Sequence, residues 1–214
     1  AGSAPPAPAR PPQDRSSGLT RRGMLISVGA AAGVATLTTV GQTVRPLKEL
    51  ALLAPRRPDN GPQGIPVNKS AAGARVVDAA TSAEYRLTLA GPGGERSLTL
   101  PQLRALPRHE AELPIACVEG WSASARWSGV RVRDLAEMVG ADDGAEVIVH
   151  SLQRRGAYSQ SRLNAPHVRH GDTLLALEIN GEPLHIDHGF PARLIAPNRP
   201  GVQQTKWVTR LEVV

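Results

Sequence analysis

The chain's only cysteine, Cys117, lies in the stretch LPIACVEGWSASARWSGV, which also contains Trp121 and Trp127. A single cysteine cannot form an internal disulfide, so its thiol is either a small buried apolar group or a group used for chemistry or metal binding. The soft thiolate suits a transition metal, and aromatic walls suit a cavity that excludes water. Aromatic residues make up only 3% of the chain, so their concentration beside the cysteine makes this stretch the first candidate site, although ordinary core tryptophans remain the alternative.

A second stretch, HGFPARLIAPNRPGVQQTKWVTRLEV, lies near the C-terminus. Taken in order, the two stretches resemble the molybdopterin-binding domain of the sulfite oxidase superfamily. The longer one is similar to the pterin-binding segment of sulfite oxidases, and CVEGW is more similar to the metal-ligand loop of the bacterial protein-methionine-sulfoxide reductase catalytic subunit. The resemblance covers residues 65–214 and implies an α+β fold with a mixed sheet and short helices.

The resemblance also implies a cofactor, a molybdenum held by one pyranopterin dithiolene and by the thiolate of Cys117. Seven further residues are expected to contact the cofactor: Asn68, Ser151, His188, Arg193, Gln204, Thr205 and Lys206. Cations and amides suit a ligand that carries a phosphate and a hydrogen-bonding ring edge. Of the seven, Asn68 and Ser151 rest on the shortest motifs.

The expected reaction is oxygen-atom transfer on a small S- or N-oxide or a sulfite-like substrate. Tyr158 and Arg162 correspond to polar residues on the substrate side in the family, and we expect them to be catalytic. Sulfite oxidases place arginines directly after the cysteine loop, whereas this chain has Trp121, Ser122 and Ala123 there, which argues against sulfite. With no haem-binding or immunoglobulin-like domain visible, we expect a monomeric catalytic domain and a separate membrane electron partner, such as a b-type cytochrome or a quinone-linked protein.

Two other hypotheses use the same residues differently. The domain is a metal-free extracytoplasmic binding module of the same fold, or it is a thiol peroxidase or reductase that uses Cys117 directly. A metal-free binding module has no physical need to keep Cys117 together with the phosphate-binding residues His188, Arg193 and Lys206. The second needs an external thiol, because the chain has no resolving cysteine.

The N-terminal third is predicted to lie outside the domain. Residues 1–18 form a Pro/Ala-rich disordered lead, and residues 19–45 read as a twin-arginine signal or membrane anchor, with Arg21 and Arg22 before an uncharged run. Residues 46–64 form a basic, proline-rich linker. Much of the +6 net charge comes from these segments, and aromatics are scarce, so no nucleic-acid partner is expected. The location is therefore predicted to be extracytoplasmic, by export or by tethering.

Short-range patterns within residues 65–214 predict several elements. YRLTLAG is a strand followed by the turn GPGGERS, and Asn180-Gly181 joins the strands of a hairpin. Helices are expected in TLPQLRAL, entered through Thr99, and in VRDLAEMVG, ending at Gly140. AEVIVHSL, ARLIAPN and TKWVTRLEVV are further strands. Strands and short helices without regular βαβ alternation indicate an α+β fold.

Overall fold

The computed structural model describes residues 20–40, 61–117, 121–156 and 158–214. The chain divides into two compact units, Ala1–Ala54 and Pro55–Val214. The predicted lead and most of the predicted linker lie outside the described residues.

The first unit contains helix α1, Arg21–Val40. The helix begins after Thr20, whose Oγ1 accepts a hydrogen bond from the backbone N–H of Gly23 at 3.2 Å. Its first turns expose the apolar side chains of Met24, Leu25 and Ile26. Among the described helices, α1 included, none has the length and apolar character needed to cross a membrane.

The second unit is built on two five-stranded sheets, which confirms the predicted α+β fold with a mixed sheet. In chain order its strands are β1 Arg86–Gly91, β2 Gly94–Thr99, β3 His109–Ala116, β4 Ser122–Arg131, β5 Val147–Ser151, β6 Gln160–Leu163, β7 Leu174–Ile179, β8 Glu182–Pro183, β9 Arg193–Ile195 and β10 Val208–Val213. The first sheet has the order β2-β1-β10-β5-β6, and its β1–β10 pair is parallel. The second has the order β3-β4-β7-β8, with β9 also paired to β7.

Short helices connect the strands. They are α2 Ala71–Ala74, α3 Val77–Thr81, α4 Leu100–Arg104, α5 Val132–Glu137 and α6 Ala165–Arg169, together with 3-10 helices at Pro62–Gly64, Ile186–His188 and Gly201–Gln203. The predicted helix start at Thr99 is confirmed, since Thr99 and Gln102 form a reciprocal capping box. Gly140 has a φ of +83° and follows α5, as expected of a glycine that ends a helix.

Both predicted hairpins form, but one turn is shorter than predicted. Asn180 and Gly181 have φ values of +52° and +85° and join β7 to β8, as a two-residue turn requires. The stretch GPGGERS is mostly strand rather than turn, because β2 begins at Gly94, which pairs with Gly91. Only Pro92 and Gly93 remain for the reversal, so the prediction of a long turn was wrong.

Strand β7 is buried on both faces and divides the core. Leu175 and Leu177 pack with Leu87 and Leu89 of β1 in the cluster between the two sheets. Residues of the opposite face of β7 join a second cluster, which contains both tryptophans of the cysteine stretch and reaches Cys117: Ile65, Trp121, Trp127, Leu174 and Ala176 are among its members. The candidate site therefore lies on the outer side of the second sheet.

Candidate active site

Cys117 lies at the tip of the β3–β4 hairpin. The two strands stay in register up to the pair of Ala116 and Ser122, and the Cys117 N–H then donates to the Trp121 carbonyl at 2.9 Å. Residues 118–120 lie outside the described residues. The Trp121 side chain is buried, and the indole N–H of the fully buried Trp127 donates to the Leu113 carbonyl at 3.1 Å. Regular pairing below and buried indoles beside it thus hold the half-buried thiol in one place.

One small cavity lies at this hairpin, and a larger one lies next to it. The smaller, which we call the cysteine cleft, is lined by Pro66, Asn68, Ile115, Cys117, Trp121, Arg193, Gly201 and Lys206 and encloses about 10 Å³. The larger, the main pocket, has a volume of about 390 Å³ and is lined on its polar side by Lys69, Ser151, Gln153, Tyr158, Gln204 and Thr205. Asn68, Gly201 and Lys206 line both cavities, so the two are neighbours separated by these residues.

Arg193 is a buried cation that faces the cysteine cleft. One of its terminal nitrogens donates to the His188 carbonyl at 3.1 Å, and its guanidinium lies 5.5 Å from the centre of the Trp127 ring. Its Nε is buried and has no hydrogen-bond partner. Burial lowers the pKa of Arg193 to about 10, so the group stays charged at neutral pH. A buried charge with an unused donor suits a ligand that brings an anion or an acceptor.

Lys206 joins the two cavities through its ammonium group. Its Nζ donates to the carbonyls of Asp187 at 2.7 Å and Lys69 at 3.0 Å, and lies 3.4 Å from Asn68 Oδ1. Burial and then the charge of Arg193 lower the pKa of Lys206 to about 7, against the opposing effects of Asp187 and Cys117. The electrostatic effect of Cys117 places the thiol and the ammonium close enough to influence each other.

His188 is buried under the same segment. Its Nε2 lies 2.6 Å from the carbonyl of Pro62, and because a carbonyl only accepts, Nε2 carries the proton and Nδ1 does not. Burial lowers the pKa of His188 to about 4, with Arg193 and Lys206 acting in the same direction. The imidazole is therefore neutral at physiological pH and offers an acceptor at Nδ1.

The remaining predicted cofactor residues line the main pocket, mostly with their polar groups engaged. The Ser151 hydroxyl donates to the Lys206 carbonyl at 2.7 Å, and the Thr205 hydroxyl lies 2.7 Å from that of Ser161. The amide nitrogen of Gln204 donates to the Arg199 carbonyl at 3.1 Å, whereas its buried Oε1 has no partner. Ser151 and Thr205 thus hold the pocket wall, and Gln204 has an acceptor to spare.

The two predicted substrate-side residues, Tyr158 and Arg162, lie in different places in the structure. Tyr158 lines the main pocket and is 56% exposed, so a bound molecule can reach its phenol. Arg162 forms an ion pair with Glu146 at the surface and lines neither cavity. On strand β6 its neighbour Ser161 is the residue that reaches the pocket wall, because successive strand side chains face opposite ways.

Several residues of the site gave no signal in the sequence. Pro62 and Gln63, inside the predicted linker, already contact the domain: Gln63 Nε2 donates to the Pro183 carbonyl at 3.0 Å, and the His185 N–H donates to Gln63 Oε1 at 2.9 Å. Asp187 fixes Ala71 through a hydrogen bond of 2.7 Å. The local signal that could have indicated an ordered turn is the pair of glycines of the 3-10 helix Pro62–Gly64, with Gly61 at its N-cap and Gly64 as its last residue.

The charged residues that line the two cavities are all basic: Lys69, Arg193 and Lys206. No aspartate or glutamate appears among the described lining residues of either cavity. Three of the segments that supply these residues, 61–77, 147–171 and 188–211, contain no acidic residue, whereas the cysteine hairpin contains Glu112 and Glu119. A thiol, the buried guanidinium of Arg193, the half-buried amine of Lys206 and unpaired polar atoms at Arg193 and Gln204 therefore fit an anionic cofactor whose metal binds thiolate.

Comparisons with known proteins agree with this chemistry. Residues 74–214 match the sequence model of the oxidoreductase molybdopterin binding domain. Over 155 residues the chain is 32% identical to mitochondrial sulfite oxidase of Drosophila melanogaster, a match that covers 61% of this chain and 27% of that protein. Over 140 residues it is 34% identical to an Azospira oryzae protein named as a protein-methionine-sulfoxide reductase subunit, covering 65% of this chain and 51% of that one.

Among solved structures, the sulfane dehydrogenase SoxCD from Paracoccus pantotrophus superimposes with a TM-score of 0.55 at 25% sequence identity, over 61% of this chain and 38% of that chain. The chain thus spans 27% and 51% of the two curated relatives, so their full activities do not transfer with the match. The family match covers well over half of the chain and includes the cysteine hairpin and every cationic residue lining the cysteine cleft. The chain belongs to the oxidoreductase molybdopterin-binding domain family of the sulfite oxidase superfamily.

Proposed function

We propose that this chain is the catalytic domain of a molybdenum-dependent oxidoreductase that moves an oxygen atom to or from a small S- or N-oxide or a sulfite-like substrate. The observation that carries the proposal is the arrangement of the cysteine cleft. One thiol at the end of the paired strands β3 and β4 lines the same cleft as Arg193, whose Nε is unpaired, and Lys206.

In this proposal Cys117, as a thiolate, ligates the molybdenum of a single pyranopterin dithiolene. When bound, the cofactor supplies two-electron redox chemistry coupled to oxygen-atom transfer. Arg193 and Lys206 offer N–H donors to its anionic groups, and His188 offers the acceptor Nδ1 to a donor on the pterin ring. Gln204 adds the unpaired acceptor Oε1. The buried indoles of Trp121 and Trp127 keep water away from the thiol side.

The substrate side favours a neutral oxide over the sulfite dianion. The positions after the cysteine loop hold the buried Trp121 and then Ser122, not arginines. Arg162, the arginine predicted on the substrate side, is paired with Glu146. Tyr158 remains as a hydrogen-bond donor for an oxide oxygen. The similarity to a protein named for methionine-sulfoxide reduction supports an S-oxide, and the similarity to sulfite oxidase supports sulfite as the runner-up.

We further infer an extracytoplasmic location and a membrane electron partner, a b-type cytochrome or a quinone-linked protein. Arg21 and Arg22 open α1, and the helix carries no charged residue after them. The Azospira relative is named as a subunit, which supports a separate partner for this chain. The catalytic domain itself is proposed to be monomeric.

Metal analysis tests the proposed function. The full chain, purified from a host that makes the cofactor, should contain about one molybdenum and one phosphorus per chain. Cys117→Ser should lose the molybdenum or change its spectrum, whereas Ser124→Ala, on the exposed face of the same hairpin, should behave as wild type. Absence of molybdenum from wild-type protein would overturn the proposal and leave a metal-free binding module.

A further inference from the structure

The segment of residues 61–69, which we call the latch, forms one wall of the cysteine cleft through Pro66 and Asn68. It lies before the residues that the family model matches, which begin at 74. The described part of the latch pairs with no strand of either sheet. Its contacts to the domain are instead made by individual groups, and most of them go to one short stretch, residues 183–188.

The hydrogen bonds of the latch end at the residues that hold the cofactor in the proposed function, or next to them. Gln63 binds the backbone of Pro183 and His185 with both ends of its amide. The carbonyl of Pro62 accepts from His188, and that of Lys69 accepts from Lys206. A displacement of His188 or Lys206 therefore changes the hydrogen bonds that hold the latch.

The size of the cleft shows that a wall must move. The cleft at Cys117 encloses about 10 Å³, which is room for about one water molecule, so a metal bound to the thiol needs more space there even if its pterin lies in the main pocket. Of the described walls, Ile115 and Arg193 belong to paired strands, and β3 is joined to β4 along eight residue pairs. The latch is joined by separate hydrogen bonds and by the buried side chain of Ile65. Because no strand ladder holds the latch, it can move without breaking a sheet.

The backbone of the latch is consistent with two positions. Gln63 has a φ of +53°, and Gly64 has +75°. A left-handed glutamine is unfavourable on its own, so its two side-chain hydrogen bonds are what keep it there. When those hydrogen bonds break, the left-handed conformation of Gln63 is no longer stabilised, which favours a change of backbone conformation.

We propose that residues 61–69 are a latch that opens to admit the cofactor to Cys117 and closes over it, with Gln63 as the residue that fastens the closed position. The proposal rests on the proposed function. In the closed position Lys206 already donates to Lys69, Asp187 and, most weakly, Asn68, so an anion that binds Lys206 replaces the Asn68 contact first. Gln63 acts through His185 and His188 and is a positioning residue.

Hydrogen–deuterium exchange on the full chain tests the latch without an activity assay. Wild-type protein is prepared from a host that makes the cofactor and from one that does not, and exchange is followed in peptides covering 61–70 and 183–189. Exchange in both peptides should be about tenfold or more slower in the molybdenum-containing protein, as closure requires. Equal exchange in the two preparations would overturn the latch, even if wild type contains molybdenum.

A variant tests the fastening role of Gln63. Gln63→Ala should exchange faster in both peptides and lose molybdenum several-fold faster during dialysis than Gln160→Ala, a control at an exposed position of β6. Retention equal to the control would overturn the role of Gln63. If Gln63→Ala does not fold, the exchange of wild-type protein with and without the cofactor still tests the latch. Molybdenum missing from wild type itself would instead refute the proposed function, so the two failures are distinguishable.

Discussion

At the scale of single residues, the site is defined by polar groups that the protein buries without fully pairing them. The Nε of Arg193 and the Oε1 of Gln204 are buried and have no partner. Leaving a buried polar group unpaired costs on the order of 1–3 kcal/mol. Such groups suit a ligand that supplies the missing partner: Arg193 lines the cleft at Cys117, and Gln204 lines the main pocket beside it.

His188 gives a pH prediction at this scale. Burial lowers its pKa from 6.5 to about 4. Between those values the unfolded chain binds more protons than the folded one, so acidification favours unfolding. The stabilising effect of the neutral imidazole is complete above pH 6.5 and is lost as the pH falls toward 4, a loss of roughly 3 kcal/mol at 1.4 kcal/mol per pKa unit.

Urea unfolding of cofactor-free protein at several pH values between 7 and 4 measures this dependence. His188→Gln, whose amide can still donate to the Pro62 carbonyl, should lose most of the acid sensitivity, and His170→Gln, at an exposed position, should keep it. His167, whose pKa burial also lowers, supplies a smaller effect in the same direction. Equal pH profiles for wild type and His188→Gln would contradict the prediction.

At the scale of elements, the site depends on one loop pressing against the end of one strand. Gly201, in the 3-10 helix Gly201–Gln203, lies where a Cβ would be 2.9 Å from the Ala116 carbonyl oxygen and 2.9 Å from Ile115 Cγ2. A backbone oxygen cannot rotate away, so the loop or the strand end must shift. Because Ala116 directly precedes Cys117, a shift of the Ala116 backbone also moves the Cys117 thiol.

Gly201→Ala should therefore destabilise the domain by about 1–3 kcal/mol and alter access to Cys117. Because the chain has one cysteine, the rate at which a thiol reagent labels the cofactor-free protein reports on that residue alone. We expect labelling to become faster in Gly201→Ala. Gly171→Ala is the control, since nothing lies within 4 Å of its Cβ position. Identical labelling rates in the two variants would show that the loop does not position the thiol.

Elements with local signals could be predicted from the sequence, and those made by distant pairing could not. The capping box of Thr99 and the turn at Asn180-Gly181 depend on neighbouring residues and were found. Strand β6 was missed because its four residues carry only one buried side chain, Leu163, and become a strand by pairing with β5.

The candidate site shows the same limit. Resemblance over an ordered block indicated Cys117, Arg193 and Lys206, which the structure brings into one cleft. It also indicated Arg162, which the structure places in a surface ion pair. Gln63 was assigned to a linker because nothing in a proline-rich stretch shows that an amide will bind a backbone more than a hundred residues away.

At the scale of the whole molecule, the positive charge of the chain has two separate sources. One is the set of basic residues that line the two cavities, Lys69, Arg193 and Lys206. The N-terminal third is basic for a different reason, since its arginines flank the uncharged run of α1. In the proposed function the first source binds an anionic cofactor, and the second belongs to a signal for export across a membrane.

The pair Arg21 and Arg22 gives the prediction at this scale. A cofactor inserted in the cytoplasm requires an export route that carries a folded protein, and the twin-arginine route is recognised by the arginines themselves rather than by charge. Replacing both by lysine keeps the charge, so the precursor should remain in the cytoplasm with its molybdenum bound. A second adjacent pair, Arg56 and Arg57, allows the matched control with the same double replacement.

Fractionation of cells that express the full chain, with molybdenum measured in each fraction, separates the outcomes. Export lost only on replacing Arg21 and Arg22 supports the twin-arginine route, because both variants have the same net charge. Equal export of the two variants would mean that α1 is not such a signal. Export of Cys117→Ser, which should bind no metal, connects the export route to the latch. A route that accepts only folded protein should still export this variant if the latch closes without the cofactor. It should export less of the variant if closure depends on the cofactor.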